Sequence, residues 1–354
     1  MFNYKILKKT KKNVLGLARN NTFSIFMIQN EIEKLLIKDK YFKENNKNLD
    51  YCNVDNKSKI ANTLYCINVN HIGNKFWFAK LFNQQSFSTK KYLFSNKETP
   101  LRKHVDFYKY EINSFKSKEY CNWYVKPVGG ASGKGIIITK NPEKLEVNQL
   151  PPNIYVIEKE IIPMLTKKRK FDIRLHVMMS YFNNKLEVYM PNDCLCRICP
   201  KKFNESSNDK DTKITNLFQR ERSVVDKYQK PLSKLFSKKK YISLMKKIKK
   251  VIYNSSKVIE KKIEKNYKSD FINEYHLFGY DIIFDKNEVP YIIEINNNPD
   301  IFDIFHGDEN IRGLQINKDN TIQEIITEDI FNLCIKQKLL KNFQYQPKIL
   351  EKVY

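Results

Sequence analysis

Polar and apolar side chains alternate through Lys170–Arg174: Lys170, Asp172 and Arg174 share one face of an extended backbone, and Phe171 and Ile173 share the other. A strand with three charges on one face and apolar residues on the other fits the polar wall of a cleft. Apolar runs predict further strands at Trp123–Val125, Ile136–Thr139, Tyr155–Ile162 and Asp193–Ile198. Phe278–Ile301 reads as strand, turn, strand, with Asp285-Lys286-Asn287 as the turn. Across Pro231–Tyr267 the period becomes helical. There Leu244, Ile248, Val251, Ile252, Val258, Ile259 and Ile263 form one apolar stripe against a lysine-dense remainder. Asn74 is placed to cap a helix starting near Lys75, with Phe78, Leu81 and Phe82 turned inward. An amphipathic stretch at Ile28–Ile37 and a closing helix over Asn320–Leu340 complete the pattern, and Asn45–Lys59 reads as a loop. The last residues carry no readable signal. The mixture of strands and helices is that of an α+β protein.

The chain has 354 residues and 41% hydrophobic content, enough for two or three packed lobes around a shared cleft. Its 64 lysines and arginines against 39 acids give a net charge of +25, which points to an acidic partner: nucleic acid, an anionic membrane surface or an acidic protein tail. No helix-turn-helix, zinc-finger or RNA-stacking signature accompanies the charge, so no specific nucleic acid is expected. No apolar run approaches the ~20 residues that span a bilayer. The basic start (Lys8, Lys9, Lys11, Lys12) is followed by Arg19, Asn20 and Asn21 rather than by the apolar core of an export signal. Seven cysteines, an odd number, then suggest reduced thiols in the cytoplasm. Cys194, Cys196 and Cys199 lack the second ligand pair that a structural zinc requires, so they read as buried strand thiols.

Candidate chemistry sits in two places. Asn122–Thr139 places four of the chain's nine glycines (Gly129, Gly130, Gly133, Gly135) between two strands, with Lys126 before the loop and Lys134 inside it. Bare backbone N–H groups and two lysines suit a phosphate. The spacing fits neither the P-loop nor the dinucleotide fingerprint, and a strand rather than a helix follows the loop. Downstream, Asp281 opens one strand while Glu294 and Asn296 close the next, two residues apart and therefore facing the same way. Two carboxylates and an amide oxygen make an all-oxygen set that suits magnesium.

These pieces are joined by KFDIR at Lys170–Arg174, LCR at Leu195–Arg197, ITN at Ile214–Asn216, FGYDIIFD and IIEINNNP. Taken in this order with KPVGGASGKGI, they resemble the tubulin–tyrosine ligase-like family over roughly Trp123–Ile301, about half the chain. The resemblance implies an ATP-grasp fold: a smaller N-terminal lobe (1–110), a central lobe with the glycine hairpin (111–190), a C-terminal lobe with the metal site (191–320) and a helical tail (321–354). It implies a monomer that holds ATP between the central and C-terminal lobes and adds an amino acid, glutamate for most of the family, to an acidic tail such as that of tubulin. The product forms through an acyl phosphate, in the cytoplasm or on microtubules.

By the same resemblance ATP meets Lys126, Ser132, Gly133, Lys134, Gly135, Ile136, Glu158, Lys159, Ile161, Lys170 and Asp172. Magnesium falls to Asp281, Glu294 and Asn296. Lys170, Arg174, Arg197 and Asn216 fall to catalysis, with Arg197 gripping a substrate carboxylate through two parallel hydrogen bonds. Two departures stand out: Lys213 occupies the place of a family histidine, and Glu158 that of a glutamine. A small-molecule carboxylate–amine ligase is the rival within the fold, and a catalytically silent microtubule binder is the rival outside enzymology. In the family the helix near Lys75 carries a basic residue facing the nucleotide, which Lys75 resembles, and the lysine-dense helical segment reads as a solvated face or as a docking surface for acidic tails.

Overall fold

The computed structural model describes residues 72–95, 122–130, 133–140, 153–216, 227–263, 273–297, 322–340 and 342–354, with short strands and single positions elsewhere. Two antiparallel cores dominate. The smaller is a four-stranded sheet built from β5 (Lys91–Ser95), β6 (Trp123–Pro127), β7 (Ile137–Thr139) and β8 (Ile154–Lys159) in the order β5-β8-β6-β7. The glycine loop joins β6 to β7, as the apolar runs on either side of it require.

The larger sheet is organised on β10 (Arg169–Phe182), fourteen residues of nearly continuous burial. Its first half pairs with β12 (Leu195–Ile198) and its second half with β11 (Lys185–Pro191) along one edge. The other edge takes β14 (Asn273–Phe284), which pairs in turn with β15 (Pro290–Asn296). β9 (Leu165–Thr166), β13 (Gln229–Pro231) and the two- to four-residue strands β1 (Phe2–Lys5), β2 (Phe42–Glu44), β3 (Tyr51–Cys52) and β4 (Ile60–Ala61) extend this sheet. A separate pair, β16 (Asn310–Ile311) and β17 (Leu314–Gln315), stands alone. The final strand, β18 (Leu350–Lys352), pairs with β11 where the sequence carried no signal.

The alternation along β10 assigns its faces. Phe171, Ile173, Leu175, Val177 and Met179 join one core with Leu244, Ile248, Val251, Ile252 and Ile259 of a long helix, Lys238–Glu260. This is the stripe read from the sequence, and its lysines face outward or sideways. On the opposite face β10 changes character along its length. Lys170, Asp172 and Arg174 give way to Met178, which packs under Ile325, Ile326, Ile330 and Phe331 of the closing helical segment. That segment runs as α-helix over Ile322–Ile330 and as a π-helical turn over Phe331–Lys336.

The helix Lys75–Phe82 begins where Asn74 caps it, accepting from the Phe76 N–H at 2.9 Å. It bridges the sheets, with Phe76 and Ala79 in the core of the small sheet and Phe78 and Phe82 in that of the large one. The chain crosses between sheets at Glu160–Met164, where the Met164 N–H donates to the Phe284 carbonyl and the Lys286 N–H to the Ile162 carbonyl. Lys91–Ser95 belongs to the glycine-loop sheet, and Arg169–Pro191 belongs to the larger sheet, because β10 is the strand on which β12 and β14 are registered.

Candidate functional site

Cross-strand register builds the floor of a cleft between the sheets. Asp172 lies opposite Arg197, Arg174 opposite Asp281, and Asp281 opposite Glu294. Four neighbouring strands thus present charged side chains on one face. The Arg197 guanidinium donates to both oxygens of Asp172, Nε–Oδ1 at 2.8 Å and Nη2–Oδ2 at 2.6 Å, and reaches Asp281 Oδ2 at 3.0 Å. Arg174 donates to both oxygens of Asp281, at 2.6 and 3.3 Å, and Thr215 donates to Asp172 at 2.6 Å. Burial disfavours each charge, and the pairing outweighs it: Arg197 is held protonated well above its usual range, and Asp281 is held well below the usual carboxylate range.

A β-bulge between Asp281 and Ile282 makes Ile293 the extra residue opposite them. Ile292 and Ile295 enter the core, while both Ile293 and Glu294 reach the cleft. Glu294 meets Lys75 at 3.5 Å, and the same lysine donates to the Gly130 carbonyl at 2.7 Å. Lys75 therefore ties the glycine loop to the acidic floor. The loop is tight: Gly133 and Gly135 have φ of 74° and 72°, and a Cβ on Gly135 would stand 3.0 Å from the Pro127 ring.

The upper wall carries a second set of buried charges. Glu158 binds Lys126, lies 3.2 Å from Lys91 and accepts from Thr89 at 3.1 Å. Burial opposes its ionisation, and the two ammonium groups overcome this to hold it at about 2. Burial also opposes the Lys126 charge, and Glu158 and Glu294 more than offset it, so that lysine is raised; Lys91, where burial prevails, is lowered. Deeper in, Glu160 accepts from Asn122 and Tyr124 at 2.8 Å each and from Lys213 at 2.7 Å. Lys170 donates to the Tyr124 hydroxyl at 2.9 Å, and its burial lowers its proton affinity.

The cleft is partly open to solvent. Lys126, Gly133, Lys134, Ile136, Glu158, Lys159, Ile161, Lys170, Asp172, Arg197, Asn216, Asp281 and Glu294 line it together. Arg174, Gly135 and Asn296 stand just outside the lining, Arg174 through its pairing with Asp281 and Asn296 with its amide nitrogen 3.5 Å from Asp281 Oδ2. Ser132 lies outside the described residues. Arg197, expected to grip a substrate carboxylate, grips Asp172, and Lys126, expected on phosphate, holds Glu158.

Thr89, Tyr124, Glu160, Ile283 and Ile293 belong to the site or its support and were missed. Alternation alone points to two of them, since Tyr124 is two residues before Lys126 and Glu160 two after Glu158. Nothing local marks Thr89, or Ile293 at the bulge. Cys194, Cys196 and Cys199 are buried free thiols. Among the described residues no three His, Cys, Asp or Glu side chains gather to hold a metal. The candidate set is two carboxylates with an amide, hard oxygens of the kind magnesium accepts alongside phosphates.

A glycine-loop sheet closing over a sheet with a charged floor defines the class: an α+β protein with the architecture of the ATP-grasp fold. The profile of the tubulin-tyrosine ligase family matches residues 59–313, and the chain belongs to that family. It is similar to tubulin glycylase 3F of Tetrahymena thermophila, at 30% identity over 51% of this chain and 22% of that protein. It is also similar to a probable tubulin polyglutamylase, ttll-9, of Caenorhabditis elegans, at 27% identity over 51% of this chain and 46% of that protein. Tubulin polyglutamylase TTLL11 of Homo sapiens is 28% identical over 65% of this chain and 36% of its own length. The chain spans less than half the length of each of these relatives.

Proposed function

We propose that this chain is an ATP-dependent carboxylate–amine ligase that adds an amino acid, glutamate first, to a carboxylate of an acidic protein tail, tubulin first, in the cytoplasm or at microtubules. The observation that carries this reading is the row Arg197–Asp172, Arg174–Asp281 and Glu294, laid by strand register along the floor of a cleft roofed by a glycine loop. Membership of the family and the activities for which the relatives are named support it.

In this account the loop N–H groups of Gly133–Gly135, with Lys126 and Lys134, hold the phosphates of ATP. Asp281, Glu294 and Asn296 hold magnesium, which when bound neutralises charge on those phosphates. Arg174 and Arg197 orient the acceptor carboxylate through bidentate contacts of the kind each already makes with an aspartate. Attack of that carboxylate on the terminal phosphorus releases ADP and gives an acyl phosphate, and the donor amine then displaces phosphate. Lys75 holds the roof to the floor while this happens. Catalysis of this kind is mainly positioning and charge stabilisation.

The test is incorporation of labelled glutamate or labelled glycine into tubulin, with and without ATP. ATP-dependent glutamate labelling is the expected result. Glycine labelling alone would keep the ligase and change the donor, an outcome that the likeness to a glycylase favours. ATP-independent labelling, or none with either amino acid, contradicts the reading.

A further inference from the structure

Strand β10 is entered and left through tight turns of one kind made of different residues. Each is a two-residue hairpin loop with both backbones left-handed: Lys167 and Lys168 at φ 47° and 62°, Asn183 and Asn184 at 49° and 60°. That is the geometry of a type I′ turn, which favours Asn and Gly. Asparagine tolerates left-handed backbone through its short polar side chain, and lysine has no such compensation. The turn geometry therefore does not explain the two lysines. Both are exposed, and among the described residues neither makes an ion pair.

The tip is anchored to the segment that follows β12. The Phe203 N–H donates to the Lys168 carbonyl at 2.8 Å and the Cys199 N–H to the Lys170 carbonyl at 2.8 Å. This brings exposed Lys202 to the same rim, while neighbouring Lys201 is occupied by Asp209 at 2.8 Å and Asp211 at 3.6 Å. The rim adjoins the cleft. From Lys168 the strand reaches cleft-lining Lys170 in about 7 Å of backbone. On the other side the Phe203 ring lies 4.3 Å from the ammonium of cleft-lining Lys213.

We propose that the Lys167–Lys168 hairpin tip, with Lys202, is a docking point for a glutamate-rich peptide segment flanking the carboxylate to be modified. The proposal rests on the ligase reading of the cleft and names how its acceptor is held outside it. Three exposed cations at the rim of a cleft whose lining carries seven lysines and arginines against four carboxylates match a short run of carboxylates.

The test replaces the tip by residues that the turn prefers, Lys167→Asn with Lys168→Gly, so that loss of the fold is not the expected outcome. A control, Lys246→Ala with Lys250→Ala, removes the same charge from exposed positions on the long helix behind the sheet. The probe is fluorescein-labelled decaglutamate, followed by anisotropy at low salt, together with the KM for tubulin. The hairpin variant is expected to keep or raise the melting temperature and to bind the probe roughly tenfold more weakly, with the acceptor KM rising in step and nucleotide affinity unmoved. The control should stay within about twofold of wild type. Equal loss in both variants, no loss in the hairpin variant, or no binding by wild type overturns the proposal. Hairpin-dependent binding without any ligation leaves the docking point standing and removes the ligase reading. Ligation that ignores the hairpin does the reverse.

Discussion

Glu158 shows how much of the site is carried by single buried charges. Its carboxyl is held at about 2 against an ordinary 4.5, because Lys126 and Lys91 outweigh the cost of burial. A group whose folded value is depressed stabilises the fold at pH above 4.5, and that contribution disappears as pH falls from about 4.5 towards about 2. The amount is about 3 kcal/mol. Denaturant unfolding between pH 5 and pH 2 should show wild type losing stability more steeply than Glu158→Gln; parallel slopes would contradict the assignment. At neutral pH the same variant should be the less stable of the two, since it leaves Lys126 and Lys91 without their carboxylate. Asp329 plays a corresponding part away from the cleft. Its fully buried carboxylate accepts from Tyr345 and Lys348 at 2.8 Å and from the Ile349 and Leu350 N–H groups at 2.9 Å. Asp329→Ala leaves three backbone donors unsatisfied and should cost about 3 kcal/mol or more in urea denaturation, with β18 released from β11. Neither residue's partners could be read locally. Glu158 meets Lys91 from 67 positions away, and Asp329 takes N–H groups from a stretch with no pattern of its own.

At the scale of elements, strand alternation was the most legible signal, and it placed the site's floor. Lys170, Asp172 and Arg174 fall where the period of two puts them, and Arg197 enters because β12 registers on the same residues. The helix at Lys75 was legible through its Asn74 cap, and the helix Lys238–Glu260 through its apolar stripe. The bulge in the β14–β15 hairpin was not legible, because the adjacent pair Ile292-Ile293 looks the same with or without an inserted residue. Its consequence is that Ile293 joins Glu294 in the cleft. One glycine keeps this hairpin in place. A Cβ on Gly279 would stand 2.7 Å from Cβ of Pro299 and 3.4 Å from Cδ of Arg174. Pro299 follows Asn296 by three residues, and its ring cannot swing away as a long side chain would. Gly279→Ala is therefore expected to displace this chain and to weaken binding of a non-hydrolysable ATP analogue with magnesium by about tenfold in calorimetric titration. Unchanged affinity would show that the hairpin end does not shape the nucleotide site.

Across the whole molecule, two sheets meet at a cleft, and specific contacts join them. Lys75 spans roof and floor, the Glu160–Met164 crossing hydrogen-bonds to the end of β14, and the Ile292 N–H donates to the Phe87 carbonyl at 2.8 Å. Net charge of +25 suits an acidic acceptor but does not choose one, and part of it sits on the back of the large sheet, away from the cleft. The choice of acceptor and donor is thus where composition ends and assay begins. Lys75→Ala should loosen the joint between the sheets and raise the KM for ATP more than that for the acceptor in steady-state kinetics; a selective effect on the acceptor would move Lys75 out of the nucleotide site. The central claim is tested most directly by intact-mass spectrometry of tubulin incubated with this protein, ATP, magnesium and mixed amino acids, beside a Glu294→Gln variant. The account predicts mass steps of one glutamyl residue on tubulin with the wild-type chain and none with the variant. Tubulin left unmodified while wild type and variant bind it equally, with no ATP consumed by either, would contradict it and make the chain a silent binder.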